Sequence, residues 1–161
     1  MGSGLGDENQ LVYISARTDY ALRALVALAV EGRPMTAEEL ATSQGLPANY
    51  LEAILLTLRR AGIVLSRRGP DAGYRFVTPP DQVTAAAVMR AVDGPLAEVQ
   101  GLRPEATTYP ETVASIQELW IAVRANLRRV LEVVTIAQLA RGQLPHAIRK
   151  LVEDPDAWVS R

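Results

Sequence analysis

At 161 residues the chain has room for one compact domain with an extension, or for two small units sharing a core. Hydrophobic residues at 48% and charged residues at 22% exclude wholesale disorder, and a net charge of −1 confines any nucleic-acid surface to a local patch. The absence of cysteine excludes disulfides, thiol chemistry and cysteine-held zinc or iron–sulfur sites.

Residues 1–12 are Gly-rich and acidic without an apolar core, so they read as a flexible tail and not as a signal peptide. No apolar run approaches the roughly 20 residues that span a bilayer, so a cytoplasmic protein without a membrane partner is expected. Ser15 to Glu31 has a capping serine and a broad apolar face through Tyr20, Leu22, Leu25, Val26, Leu28 and Ala29, which predicts a helix ended by Gly32 and Pro34. Thr36 and Glu39 form a capping box for a short second helix to about Ser43. Gly45 then supplies a turn, Leu46 plugs inward, and Pro47 suits the first position of a third helix.

That third helix is expected to run to about Ala61 with Gly62 at its end. Leu51, Ile54, Leu55 and Leu58 form one buried stripe, while Asn49, Glu52 and Ala53 lie at other angles. Two helices joined by a glycine turn are a helix-turn-helix pattern, which many all-α proteins share. The following residues narrow it. Ile63-Val64-Leu65 and Tyr74-Arg75-Phe76-Val77 read as strands of a hairpin whose turn, Ser66 to Gly73, carries Arg67 and Arg68 beside Gly69 and Pro70. From Ile54 to Phe76 five arginines stand against one acid, Asp71. An arginine-tipped loop beside an amphipathic helix suits duplex DNA, because guanidinium groups fit the negative potential of a narrow minor groove. Arg59, Arg60 and Arg67 are phosphate candidates on charge alone.

Thr84 caps a short helix that ends near Val92, and Leu96 to Glu111 follows as an irregular segment. The longest helical pattern is Thr112 to Val134. Within it Val113, Ile116, Trp120, Val123, Leu127, Val130 and Val134 alternate spacings of three and four, a heptad seam suited to pairing two copies into a homodimer. Thr135 to Arg141 and Pro145 to Val152 read as closing helices. The expected organisation is therefore a tail (1–12), a winged helix-turn-helix DNA-binding domain (13–80), a linking helix and effector segment (81–111), a dimerisation helix with closing helices (112–152) and a second tail (153–161). The fold class is mainly α, with a two-stranded β-hairpin wing and a long C-terminal dimerisation helix.

The stretch Ser15 to Leu25 resembles the opening helix of the Rrf2 family of bacterial winged helix-turn-helix regulators, the IscR, NsrR and CymR type. The resemblance continues through Asn49-Tyr50-Leu51-Glu52, Leu58 to Val64, Arg68-Gly69-Pro70-Asp71-Ala72-Gly73-Tyr74 and Val92-Asp93-Gly94-Pro95. It implies a homodimer on a near-palindromic operator of double-stranded DNA. It also implies that Asn49 and Glu52 face the major groove, that Tyr50 touches phosphate, and that Ser66, Arg68, Gly69 and Pro70 form the minor-groove element. Asn and Glu are residue types suited to adenine and to a cytosine amino group. Asp71-Ala72 stands where the family usually has two glycines, which implies a stiffer wing.

Cluster-binding relatives carry three cysteines in the segment matching Leu96 to Glu111, and this chain has none there. The only histidine, His146, lies far along the chain and reads as a surface or helix-end residue, so no metal and no cofactor is expected. If the protein senses a signal, the segment suits a small organic effector anchored by Arg103 and Tyr109. The glycines fall in turns without phosphate-loop spacing, and no nucleophile with a base stands out, so an enzyme is not expected. A winged-helix module that docks an acidic protein partner without DNA readout stays open as the alternative, since this fold serves both uses.

Overall fold

Ser15 begins the first helix of the computed structural model, which describes residues 14–160; the expected tail at 1–12, with Tyr13 and Arg161, lies outside the described residues. Its hydroxyl accepts the Thr18 N–H at 3.0 Å, and helix α1 runs Ala16–Glu31 until Gly32 turns left-handed. The capping box forms as the sequence requires. Thr36 Oγ1 accepts the Glu39 N–H at 3.1 Å, and the Glu39 carboxylate accepts the Thr36 N–H at 2.8 Å, opening α2 (Ala37–Gln44). That amide, with Arg33 at 3.2 Å, holds the Glu39 carboxyl below its ordinary value.

Gly45 adopts φ +61° and turns the chain into α3 (Ala48–Arg60). Pro47 is the N-cap, one residue outside its expected place. Leu51, Ile54, Leu55 and Leu58 are all buried against α1 and α2, as their spacing demands. The helix closes with Gly62 left-handed: Ile63 N–H donates to Leu58 carbonyl and Gly62 N–H to that of Arg59, with Ile63 and Leu58 both buried.

Strand β1 (Val64–Arg67) pairs antiparallel with β2 (Gly73–Phe76), placing Ser66 opposite Tyr74 and Leu65 opposite Arg75. The pairing reaches further into the turn than the apolar runs suggest. A second pairing anchors the hairpin's base. Tyr74 N–H donates to the Met35 carbonyl at 2.7 Å, and Met35 N–H returns the bond at 3.1 Å, so the wing is stitched to the linker before α2. Gly73 makes that approach possible. It holds φ +131°, and a Cβ there would lie 2.5 Å from the Met35 carbonyl carbon.

Thr84 caps α4 (Ala85–Asp93). Two short 3-10 turns, Pro104–Ala106 and Glu111–Val113, lead into α5 (Ser115–Leu131), followed by α6 (Ile136–Ala140) and α7 (His146–Glu153). Val83, Val88 and Val92 from the α4 region and Ile136 from α6 join the core built by α1, α2 and α3. The end of α4 is clamped to the start of α1, because the Asp93 carboxylate accepts from the Ser15 hydroxyl and, at 2.6 Å, from the buried Thr18 hydroxyl.

The structure corrects one end of the heptad seam. The long helix stops at Leu131, and Val134 lies beyond it, 6% exposed, with its carbonyl accepting the Ala85 N–H. A capping box from Thr135 and Gln138 starts α6 at once and turns the chain back onto α1. Val134 is thus covered within its own chain and offers no surface to a second copy.

Candidate nucleic-acid interface

Helix α3 divides its residues by angle. Its leucine and isoleucine stripe faces the core, and the opposite side presents Asn49, Glu52, Ala53, Leu56 and Arg60 along one exposed strip. Leu56 is 39% exposed in the middle of that strip. Its position opposite the buried stripe follows from the helical spacing, although the sequence reading did not single it out. An apolar side chain there suits contact with a thymine methyl. Tyr50 is also exposed, with its ring edge-on to Tyr20 of α1 at 5.6 Å, and Arg23 stacks over Tyr20 at 5.8 Å. This aromatic contact fixes the start of α3 against α1.

Helix and wing are joined by side chains. Arg59, near the end of α3, donates to the Ser66 hydroxyl on β1 at 3.3 Å. Tyr74, opposite Ser66, has its hydroxyl raised above the ordinary value, first by burial and then by the Glu52 carboxylate, with Arg59 acting the other way. Glu52 and Arg59 of α3 therefore lie close enough to Tyr74 of β2 to act on its hydroxyl, and with the Arg59–Ser66 bond they join α3 to the hairpin. Beyond them Arg67, Arg68, Gly69 and Pro70 are exposed at the tip, where Gly69 takes φ +100°. Among the described residues Arg60, Arg67 and Arg68 make no ion pair, so their positive charge is uncompensated.

Helix α5 carries no fully buried residue over its 17 positions. Ile116, Trp120, Val123, Leu127 and Val130 are half-buried along one side, Val113 lies in the preceding 3-10 turn at 39% exposure, and Leu119 is 54% exposed beside the seam. Leu119 falls outside strict heptad spacing, which is why counting threes and fours passed over it. The preceding segment packs against α5 at the edge of that side: the Gln117 amide donates to the Thr107 carbonyl at 2.6 Å, and Trp120, from the seam itself, donates through Nε1 to the Tyr109 hydroxyl at 3.1 Å.

The two suggested effector anchors do not converge. Tyr109 is engaged by Trp120, whereas Arg103 lines a cavity of about 290 Å³ between the ends of α4 and α5. That cavity is also lined by Arg90, Arg124, Arg128 and Glu105. His146 begins α7 and is exposed. Among the described residues no three His, Cys, Asp or Glu side chains gather as metal ligands, and no described helix is long and apolar enough to cross a membrane.

A helix-turn-helix with a basic hairpin wing, followed by a long helix with a half-buried apolar side, defines a winged-helix regulator. Residues 14–142 match the Rrf2 family, described as iron-dependent transcriptional regulators. A Mycobacterium tuberculosis protein named as an HTH-type transcriptional regulator is 37% identical over 143 residues, covering 88% of this chain and 89% of its own. CymR of Bacillus subtilis is 34% identical over 130 residues, 79% of this chain and 88% of its own. The solved structure of that protein, titled the global cysteine regulator, superposes with a TM-score of 0.70 at 29% identity, covering 83% of this chain and all of the other. A regulator from Listeria innocua superposes with a TM-score of 0.68 at 27% identity, covering 92% and 96%. The chain belongs to the Rrf2 family and is a winged helix-turn-helix transcriptional regulator.

The family description invokes iron, and the residues here do not fit it. The segment between α4 and α5 has no thiolate or imidazole, and the cavity beside it is lined by four guanidinium groups and one carboxylate. Such a lining repels a cation.

Proposed function

We propose that the protein works as a homodimeric, sequence-specific DNA-binding repressor on a near-palindromic operator. The observation that carries this is the continuity of α3 and wing through Arg59, Ser66, Glu52 and Tyr74, with uncompensated arginines along its outer edge. Asn49 and Glu52 read base edges in the major groove, Leu56 adds apolar contact, and Tyr50, Arg59, Arg60 and Arg67 hold phosphates. Ser66, Arg68, Gly69 and Pro70 form the minor-groove element, where a slim turn and a guanidinium suit a narrow groove.

Pairing through Val113, Ile116, Leu119, Trp120, Val123, Leu127 and Val130 covers the apolar side that one chain leaves half-bare. Two heads on one frame then add their contacts and set the half-site spacing. Occupancy of a promoter by this dimer excludes the transcription machinery, and a small effector held between α4 and α5 controls occupancy. Capture of genomic fragments by the full-length protein, followed by footprinting, tests the proposal. Two symmetry-related protected half-sites are expected. A single protected patch, or no duplex recovered above a denatured-protein control, overturns it.

A further inference from the structure

We propose that the cavity between α4 and α5 binds a small organic polyanion, and that this anion is the effector. The inference rests on the regulator function above for its consequence, but its binding step stands on the cavity alone.

Four arginines from three parts of the chain converge there: Arg90 from α4, Arg103 from the connecting segment, and Arg124 and Arg128 from α5. Against them the lining offers one carboxylate, Glu105, and the neighbouring Glu132 serves both Arg90 and Arg128. Two acids do not neutralise four bases, in a chain whose whole net charge is −1. Clustered like charges oppose one another, so an anion that joins this lining relieves their repulsion.

The individual groups point the same way. Arg124 is the most enclosed, with its side chain 15% exposed, and it pairs with Glu105 alone. A guanidinium carries five N–H donors in a planar fork suited to carboxylate or phosphate, so most of its bonding capacity is without a protein acceptor. Arg103 makes no hydrogen bond or ion pair among the described residues; the Glu105 carboxyl is held below its ordinary value first by its own backbone N–H and then by Arg124, with a smaller contribution from the Arg103 charge. The rest of the lining, Gly94 to Ala97, is uncharged and largely apolar and suits a carbon skeleton. A volume of about 290 Å³ suits a compact di- or tricarboxylate or a sugar phosphate.

The location gives such a ligand leverage. Arg90 belongs to α4, whose end is clamped to α1 through Asp93 and whose body packs on α3. Arg124 and Arg128 belong to the helix that offers the half-buried apolar side. An anion bridging the two competes with Glu105 and Glu132 for the guanidiniums and resets the angle between head and long helix. In a dimer that angle sets the spacing of the two reading heads.

The test is calorimetric titration of the full-length protein with citrate, with fructose 1,6-bisphosphate and with sulfate, at matched ionic strength. Saturable binding of citrate marks a carboxylate effector, and saturable binding of the bisphosphate marks a phosphorylated one. Arg103→Ala removes an unpaired group and leaves the fold intact; it is expected to weaken the bound anion by about tenfold or more. Arg68→Ala, at the distant wing, should leave anion affinity unchanged. The anion should also shift the affinity of the native protein for its captured duplex, and shift that of Arg103→Ala much less. Absence of saturable binding by both organic probes overturns the proposal, as does equal affinity in Arg103→Ala or loss in Arg68→Ala. Failure of every variant to bind duplex DNA would refute the regulator function instead, while the calorimetry still decides the cavity.

Discussion

Replacing Gly73 by alanine tests how the wing is held. Its backbone at φ +131° is unfavourable for any residue with a Cβ, at a cost of about 1–2 kcal/mol. The new methyl would also sit 2.5 Å from the Met35 carbonyl carbon and 2.6 Å from its oxygen, so the Met35–Tyr74 pairing must open. That pairing consists of two backbone hydrogen bonds, at 2.7 and 3.1 Å, each contributing about 1 kcal/mol. The expected loss is therefore about 3 kcal/mol, against a stability of roughly 5–15 kcal/mol for a domain. Gly69→Ala is the matched control: its φ of +100° carries the backbone strain, but no atom lies within 4 Å of the added Cβ. Amide exchange in both variants is the assay. The Met35 and Tyr74 amides should lose protection about a hundredfold in Gly73→Ala and keep most of it in Gly69→Ala. Equal protection at both amides in native protein and Gly73→Ala would show that the clamp at Met35 does not exist.

Three further outcomes follow from the same geometry. Arg68→Ala should lower operator affinity about tenfold or more in a fluorescence-anisotropy titration, with dimer content unchanged by sedimentation, because the side chain is exposed and unpaired. Trp120→Glu should convert the dimer to monomer in sedimentation; Leu119→Glu, at a side chain 54% exposed in the single chain, should do the same without disturbing the fold. Glu39 has its carboxyl lowered by the Thr36 amide and by Arg33, so its contribution to the α2 cap is complete above the ordinary carboxylate value. It fades as pH falls through the lowered one. The protection of the Thr36 amide relative to its intrinsic exchange rate at each pH should accordingly fall on acidification in the native protein, and Glu39→Gln should leave that protection independent of pH in the same range.

The parts of this structure legible in the sequence are those decided by neighbours along the chain. Ser15, Thr36, Thr84 and Thr135 each cap a helix because a short hydroxyl side chain reaches an amide three residues on. The Leu51 to Leu58 stripe is buried because helical spacing leaves it no other place. What escaped depends on distant partners. Val134 keeps the heptad spacing but is drawn into the core by the turn at Thr135 and the bond to Ala85. The Met35–Tyr74 pairing joins residues 39 positions apart, and nothing in either local run announces it. Arg90, Arg124 and Arg128 each look like an ordinary charge on a helix, and only the fold brings them to Arg103 around one cavity. Leu56 and Leu119 are apolar residues on outward faces, where composition suggests core and angle alone says otherwise.

Salt titration of binding to the captured operator probes the interface most directly, since each neutralised phosphate releases counterions and steepens the dependence of affinity on salt. Binding by the native protein should weaken steeply as salt rises, and Arg60→Ala and Arg67→Ala should each make the slope shallower by roughly one per half-site contact. A flat salt dependence, or slopes indifferent to both arginines, would contradict the assignment of α3 and its hairpin as the surface that lies on the duplex.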